Sequence, residues 1–180
     1  LRIAEAEDFV FADVEHLGQV IPDNTYMQKH IERVLALGLV DVEAIKAAHF
    51  RVAIDCVNSV GGRIIPELLH ALGVEEIFKL HCAPHGRFAH NPEPIPENLT
   101  EISDLMKHAK ADVGFVVDPD VDRLAIICEN GEMFNEEYTL VAVADYVLSH
   151  TPGSTVSNLS SSRALRDVTE AHGCSYQAAA

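Results

Sequence analysis

Three aspartates separated by single residues are the side chains in this sequence most suited to binding a metal ion. Asp118, Asp120 and Asp122 lie between two apolar runs typical of strands, GFVV and LAIIC. Carboxylates at this spacing repel one another where they converge in a turn, and a divalent cation offsets that repulsion. A set of oxygen ligands alone favours a hard cation, Mg²⁺ or Ca²⁺. Arg123 follows directly and supplies a planar cation suited to gripping a phosphate.

Two other interpretations of this segment compete with a metal site of this kind. One is a solvated acidic turn in which Arg123 is a local counter-charge, and the residues alone leave it open. The other is an EF-hand whose last loop position is Glu129. The sixth position of that loop requires Gly but is Arg123 here, and the flanking segments are typical of strands rather than helices. The EF-hand is therefore excluded.

Two loops carry further polar groups in less specific patterns. Residues 56–62, CVNSVGG, follow a strand and open a helix, so their amides suit either an anion or a tight turn without a ligand. The proline-rich loop at 81–98 contains His81, His85 and His90, which are either metal or acid–base groups or solvated side chains. The residues alone leave both pairs of alternatives open.

Alternating strands and helices must position these groups, and this alternation predicts an α/β fold. Strands are expected at 51–55, 76–80, 113–117, 124–128, 155–158 and 175–178. Helices are expected at 23–39, 41–48, 64–72, 99–110, 136–149 and 162–172. We expect one complete α/β domain over residues 20–133, preceded by a tail or linker at 1–19. Residues 134–180 are expected to open a second, truncated α/β domain.

Composition excludes several classes of function. The 180 residues carry a net charge of −15, and no basic cluster marks a surface for nucleic acid. No apolar run approaches the length of about 20 residues that spans a bilayer, so we expect no membrane segment. The four cysteines form no CxxC pair, and dispersed free thiols favour a reducing, cytoplasmic location. The chain begins with Leu1 rather than Met, and we expect it to be a piece of a longer protein.

Three segments resemble the α-D-phosphohexomutases, and the resemblance covers nearly all of the chain. GFVVDPDVDRLAI resembles the family's metal loop, and VAIDCVNSVGGRIIPELLHALGV resembles the opening strand, loop and helix of its second domain. FAHNPEPIPENL is similar to the loop that precedes the next helix of that domain. Residues 135–172 resemble the start of the third domain. The resemblance implies a mixed three-layer α/β domain of the phosphohexomutase type, with a partial second α/β domain.

The resemblance also implies a reversible, Mg²⁺-dependent transfer of a phosphoryl group between the 1- and 6-positions of a hexose phosphate. Asp118, Asp120 and Asp122 would hold the Mg²⁺, and Arg123 would stabilise the transferring phosphoryl group. The partners would be the hexose phosphate and a hexose 1,6-bisphosphate intermediate. None of the serines stands in the family's T-A-S-H-N-P setting, so the phosphoserine nucleophile is expected outside this chain. The chain alone is expected to be inactive, and no substrate-binding residue is assigned.

Two alternative functions remain beside this one. A nucleotide-sugar transferase would hold a metal diphosphate through a D-x-D motif, but the third Asp, the Arg and the upstream PEP loop disfavour it. A non-catalytic metal-binding module of the same fold would be indicated by a parent chain that lacks any serine nucleophile.

Overall fold

The computed structural model describes residues 1–179, over most of which helices and strands alternate. The helices are α1 (Arg2–Glu5), α2 (Tyr26–Leu35), α3 (Val42–Ala48), α4 (Gly61–Ala71), α5 (Thr100–Ala109), α6 (Glu136–His150) and α7 (Ala164–Ala171). The strands are β1 (Arg51–Asp55), β2 (Glu76–Leu80), β3 (Val113–Val117), β4 (Leu124–Cys128), β5 (Met133–Phe134), β6 (Thr155–Asn158) and β7 (Tyr176–Ala179). Short 3-10 helices lie at Val14–His16 and Pro96–Asn98.

The central sheet is mixed and has the strand order β2-β1-β3-β4-β5. β1 is parallel to both β2 and β3, whereas β4 is antiparallel to β3 and β5 is antiparallel to β4. Asp55 at the end of β1 is in register with Leu80 of β2 and with Val116 of β3. The segments that follow these three strands therefore leave the sheet at one edge. Asp55, His81 and Asp118 lie at this edge, because each ends one of these strands or follows it directly.

Helices cover both faces of the sheet, which confirms the predicted three-layer α/β arrangement. Alternate residues of a strand point to opposite faces, so Ala53 packs with α5 whereas Val52 and Ile54 pack with α4. Ile102 and Met106 of α5 are fully buried against the sheet. Burial of a side chain of this size contributes roughly 1.5–3 kcal/mol to folding, so these contacts hold the layers together.

The predicted strands agree with the structure more closely than the predicted helix ends do. β1 to β4 coincide with the predicted ranges, because each is an apolar run bounded by polar or turn residues. α2 begins at Tyr26 rather than at residue 23, since the Asp23 carboxylate accepts hydrogen bonds from the amide and hydroxyl of Thr25. α4 begins earlier than predicted, at Gly61. β5 was not predicted; it pairs with β4 after a turn in which Gly131 has a φ of 82°.

Residues 136–179 contain two helices and two strands; that residues 134–180 open a second domain stays a prediction. β6 and β7 pair in parallel, and α7 packs against both strands and against α6. α6 also packs against β4, and the Tyr146 hydroxyl donates a hydrogen bond of 2.9 Å to the carbonyl oxygen of Leu39. Residues 1–19, the predicted tail, are all exposed. None of the helices in the described residues is long and apolar enough to cross a membrane.

Candidate metal site

A tight turn after β3 brings the three predicted aspartates together. The Val121 amide donates to the carbonyl oxygen of Asp118 (3.2 Å), and Val121 itself has a left-handed φ of 64°. This conformation is rare for a β-branched residue and costs about 1–3 kcal/mol. The turn places one carboxylate oxygen from each of Asp118, Asp120 and Asp122 within 4.8 Å of the others.

Asp118 is the buried anchor of the turn, with only 2% of its surface exposed. Its Oδ1 accepts hydrogen bonds from the amides of Asp122 and Arg123, each at 3.1 Å, and its Oδ2 accepts one from Arg123 Nε at 2.9 Å. Burial raises the pKa of Asp118, but hydrogen bonds from Arg123 and Asp122 outweigh burial and hold it below its usual value. Asp118 therefore stays ionised and fixed in orientation.

The carboxylates of Asp120 and Asp122 are exposed, and the negative charges of the turn repel one another. A hydrogen bond with the Asp118 carboxylate, followed by the charges of Asp120 and Asp118, raises the pKa of Asp122 above its ordinary value. A cation among the three groups would remove that repulsion. All three donors are carboxylate oxygens, so the donor set fits a hard divalent cation such as Mg²⁺.

Arg123 joins the aspartate turn to the proline-rich loop. Its Nε contacts Asp118, and its Nη1 donates a hydrogen bond of 2.6 Å to Glu93 Oε1. The carboxylates of Asp118 and Glu93 raise the pKa of the Arg123 guanidinium above its usual value, and Asp118 has the larger effect. The Arg123 side chain is therefore always charged. A cavity of about 170 Å³ lies beside this contact. It is lined by Glu93, Pro94, Ile95, Arg123, Leu124, Ala125 and Met133.

The loop CVNSVGG packs against the aspartate turn. Ser59 Oγ donates to the carbonyl oxygen of Pro119 (2.7 Å), and Gly61 approaches Val117 so closely that a Cβ would lie 2.7 Å from its methyl group. The amides of Asn58 and Ser59 donate to backbone carbonyl oxygens within the protein. Hydrogen bonds of this kind favour the tight-turn interpretation of the loop over the anion site.

Comparison with known proteins matches this part of the chain to a described domain. Residues 26–131 match the family model for phosphoglucomutase/phosphomannomutase, alpha/beta/alpha domain II. A protein of Thermococcus kodakarensis named phosphoglucomutase/phosphomannomutase is 34% identical over 170 residues, which are 93% of this chain and 36% of that protein. The chain belongs to the phosphoglucomutase/phosphomannomutase family.

Other members of the phosphoglucomutase/phosphomannomutase family agree with this assignment. The phosphomannomutase/phosphoglucomutase of Pseudomonas putida is 34% identical over 130 residues, which are 71% of this chain and 28% of that protein. A crystal structure of a phosphoglucomutase/phosphomannomutase family protein from Burkholderia thailandensis matches with a TM-score of 0.73 at 28% identity. That match covers 84% of this chain and 32% of the crystallised one. The chain spans about a third of the length of the curated relatives it matches.

All four site residues predicted from the sequence lie within the part of the chain that matches the family's domain II. Asp118, Asp120, Asp122 and Arg123 meet in one turn, and their roles as metal ligands and phosphoryl-binding residue stay predictions. Sequence reasoning missed Glu93 as the second partner of Arg123. Glu93 lies in the segment FAHNPEPIPENL, which resembles a loop of the family, but its ion pair with Arg123 depends on how that loop folds.

Proposed function

We propose that this chain carries the Mg²⁺ site of a phosphohexomutase, an enzyme that moves a phosphoryl group between the 1- and 6-positions of a hexose phosphate. The observation that carries the proposal is the convergence of three carboxylates beside an arginine, within the matched domain of this family. A hexose phosphate and a hexose 1,6-bisphosphate are the proposed ligands of the whole protein, and the cytoplasm is its proposed location.

The proposed ligands of Mg²⁺ are Asp118, Asp120 and Asp122. When bound, the ion would neutralise charge on the oxygens of the transferring phosphoryl group. Asp118 is suited to this role because its two backbone hydrogen bonds fix the carboxylate before any ligand arrives. Asp120 and Asp122 are exposed, so they can reorient towards an ion at little cost.

Arg123 is proposed to bind and orient the transferring phosphoryl group. Phosphoryl transfer depends on positioning and on charge stabilisation more than on covalent help from the protein. Asp118 and Glu93 hold the guanidinium through Nε and Nη1. Among the hydrogen bonds of the described residues, Nη2 of Arg123 takes part in none, so this nitrogen can donate to a phosphoryl oxygen while the side chain stays in place.

The phosphoserine that donates the phosphoryl group is proposed to lie outside these 180 residues. Residues 1–19 are proposed to be the tail of a preceding domain or a linker, residues 20–133 domain II, and residues 134–180 the start of domain III. The large apolar side chains exposed along the tail, including Phe9 and Phe11, support its packing against chain that is absent here. Isolated residues 1–180 are accordingly expected to be inactive.

The test is a mutase assay on the whole protein that contains this sequence. Glucose, mannose and glucosamine 1-phosphates are supplied in turn, with Mg²⁺ and a catalytic amount of the hexose 1,6-bisphosphate. We expect at least one 6-phosphate product, and we expect Asp120→Asn to abolish its formation without lowering the free energy of unfolding. The matched control is Asp104→Asn, which changes an exposed aspartate of α5 and should keep full activity.

Two results would contradict the proposal. Most of the activity surviving in Asp120→Asn would remove Asp120 from the catalytic metal site. Mg²⁺ binding without turnover of any hexose phosphate, in a whole protein that lacks a serine nucleophile, would instead indicate the non-catalytic metal-binding module.

A further inference from the structure

A second cluster of metal-ligating side chains lies at the ends of β1 and β2, apart from the aspartate turn. It consists of Asp55, the last residue of β1, with His81, which follows β2, and His90 of the proline-rich loop. Asp55 is 2% exposed, and the side chains of His81 and His90 are 15% and 17% exposed. His85 of the same loop is exposed and lies outside the cluster. We propose that Asp55, His81 and His90 bind a transition-metal ion of the Zn²⁺ type.

The spacing of the donor atoms is close to that of a metal coordination shell. Asp55 Oδ2 lies 2.9 Å from His81 Nδ1 and 3.2 Å from His90 Nε2, and the three atoms are all within 4.8 Å of one another. Ligands at about 2.0–2.1 Å from a tetrahedral Zn²⁺ are separated from each other by about 3.3 Å. The three side chains therefore need only small movements to enclose an ion.

The hydrogen bonds of His90 indicate that a positive charge is needed between His90 and Asp55. His90 Nδ1 lies 2.7 Å from the carbonyl oxygen of Asn91, which can only accept, so Nδ1 carries the proton. In the neutral imidazole, Nε2 then presents a lone pair to Asp55 Oδ2, which is also an acceptor. Two acceptors facing each other at 3.2 Å are unfavourable. A metal ion bound by both atoms resolves this conflict, as does a second proton on His90.

His81 has the outer contact that metal-binding histidines commonly have. Its Nδ1 faces Asp55, and its Nε2 lies 3.4 Å from Glu101 Oε2. Without a metal, Nδ1–H can donate to Asp55 Oδ2; a proton on Nε2 instead, towards Glu101, would leave the Nδ1 lone pair for an ion. Donation of the second ring N–H to a carboxylate or a backbone carbonyl is the usual way in which a protein orients a histidine ligand. The Asn91 carbonyl supplies this contact to His90, and Glu101 lies at ion-pair distance from the corresponding nitrogen of His81.

Asp55 is fixed from its other side. Its Oδ1 accepts a hydrogen bond of 2.9 Å from the Val57 amide, so Oδ2 is the oxygen directed at the two imidazoles. A donor set of two imidazoles and one carboxylate suits Zn²⁺, whereas the oxygen-only set of the aspartate turn suits Mg²⁺. A bound ion would tie the loop that carries Glu93 to the edge of the sheet.

The test is metal binding by the untagged 180-residue chain in excess Mg²⁺, which is added to fill the proposed site at the aspartate turn. Zn²⁺ affinity is measured by competition with a chromogenic chelator, and Co²⁺ is added separately to record its visible d–d absorption. We expect one Zn²⁺ per chain and a tetrahedral Co²⁺ spectrum. Both should be lost in His81→Gln and in His90→Gln, and both should persist in the matched loop control His85→Gln.

A variant of Glu101, the residue proposed to orient His81, tests the proposal without disturbing the fold. The Glu101 side chain is 66% exposed, so Glu101→Gln should leave the fold intact, and we expect it to weaken Zn²⁺ binding by about 10–100-fold. Circular dichroism is used to check that each variant is folded.

Three outcomes would overturn the proposal. The first is the absence of stoichiometric Zn²⁺ binding. Nitrogen NMR should then show both nitrogens of His90 protonated, so that a proton takes the place of the metal ion. The second is equal binding by all histidine variants. The third is binding that survives loss of the histidines but disappears in Cys82→Ser, which would place the ion on a thiolate.

Discussion

Replacing Gly62 with Ala tests how closely the start of α4 packs against the end of β2. A Cβ atom at Gly62 would lie 2.0 Å from the carbonyl oxygen of Cys82, which belongs to the backbone. The two segments must separate by 1.0 Å before this pair reaches 3.0 Å, and Cβ contacts shorter than that are essentially never found. The change therefore displaces α4, which packs beside the aspartate turn, from the segment after β2 that contains His81.

The size of the effect follows from two opposing contributions. Overpacking of this kind costs about 1–3 kcal/mol, and a backbone obstacle favours the upper part of that range. Exchanging Gly for Ala inside a helix returns up to about 1 kcal/mol through helix propensity. We expect a net loss of about 1–2 kcal/mol in the free energy of unfolding of Gly62→Ala.

Urea unfolding followed by circular dichroism measures this loss directly. The control is Gly153→Ala, because a Cβ at Gly153 meets no atom within 4 Å. The control should match the wild-type chain to within about 0.5 kcal/mol. Equal stability of Gly62→Ala and Gly153→Ala would refute the close approach of α4 to Cys82.

Three further predictions concern the aspartate turn, a half-exposed ion pair and the core. Asp118→Asn should lower the urea midpoint in the absence of metal, because an amide nitrogen would then face the Arg123 guanidinium, whereas Asp120→Asn should leave the midpoint unchanged. Hydrogen bonds from Arg51 lower the pKa of Asp112. This pair therefore adds stability at pH values above the ordinary carboxyl pKa of about 3.9, and that stability is lost as the pH falls through the lower pKa of the folded state. Asp112→Asn should therefore reduce the loss of stability between neutral and acidic pH, and an unchanged pH profile would contradict this. Ile102→Ala, at a fully buried position, should lower the free energy of unfolding by about 2–5 kcal/mol, and a smaller loss would mean that α5 packs less tightly.

The strands and the aspartate turn could be predicted from the sequence because their signals are local. β1 and β3 are short apolar runs that end at a polar residue, and a run of this kind is readable without knowledge of the rest of the fold. Asp118, Asp120 and Asp122 are close in sequence, so a single turn is sufficient to bring them together.

Contacts between distant segments could not be predicted in the same way. Asp55, His81 and His90 meet only because β1 and β2 are parallel and end in register, and because the proline-rich loop folds back over that edge. The histidines were visible in the sequence, but nothing local separated His85 from the other two. The pairing of Arg123 with Glu93 likewise depends on the path of this loop.

Magnesium binding by the untagged chain most directly tests whether the aspartate turn is a metal site. Isothermal titration calorimetry after removal of bound metals should show one Mg²⁺ per chain. The binding should disappear in Asp120→Asn and persist in Asp104→Asn. Absence of saturable Mg²⁺ binding, or equal binding by the wild-type chain and Asp120→Asn, would contradict the assignment of Asp118, Asp120 and Asp122 as its ligands.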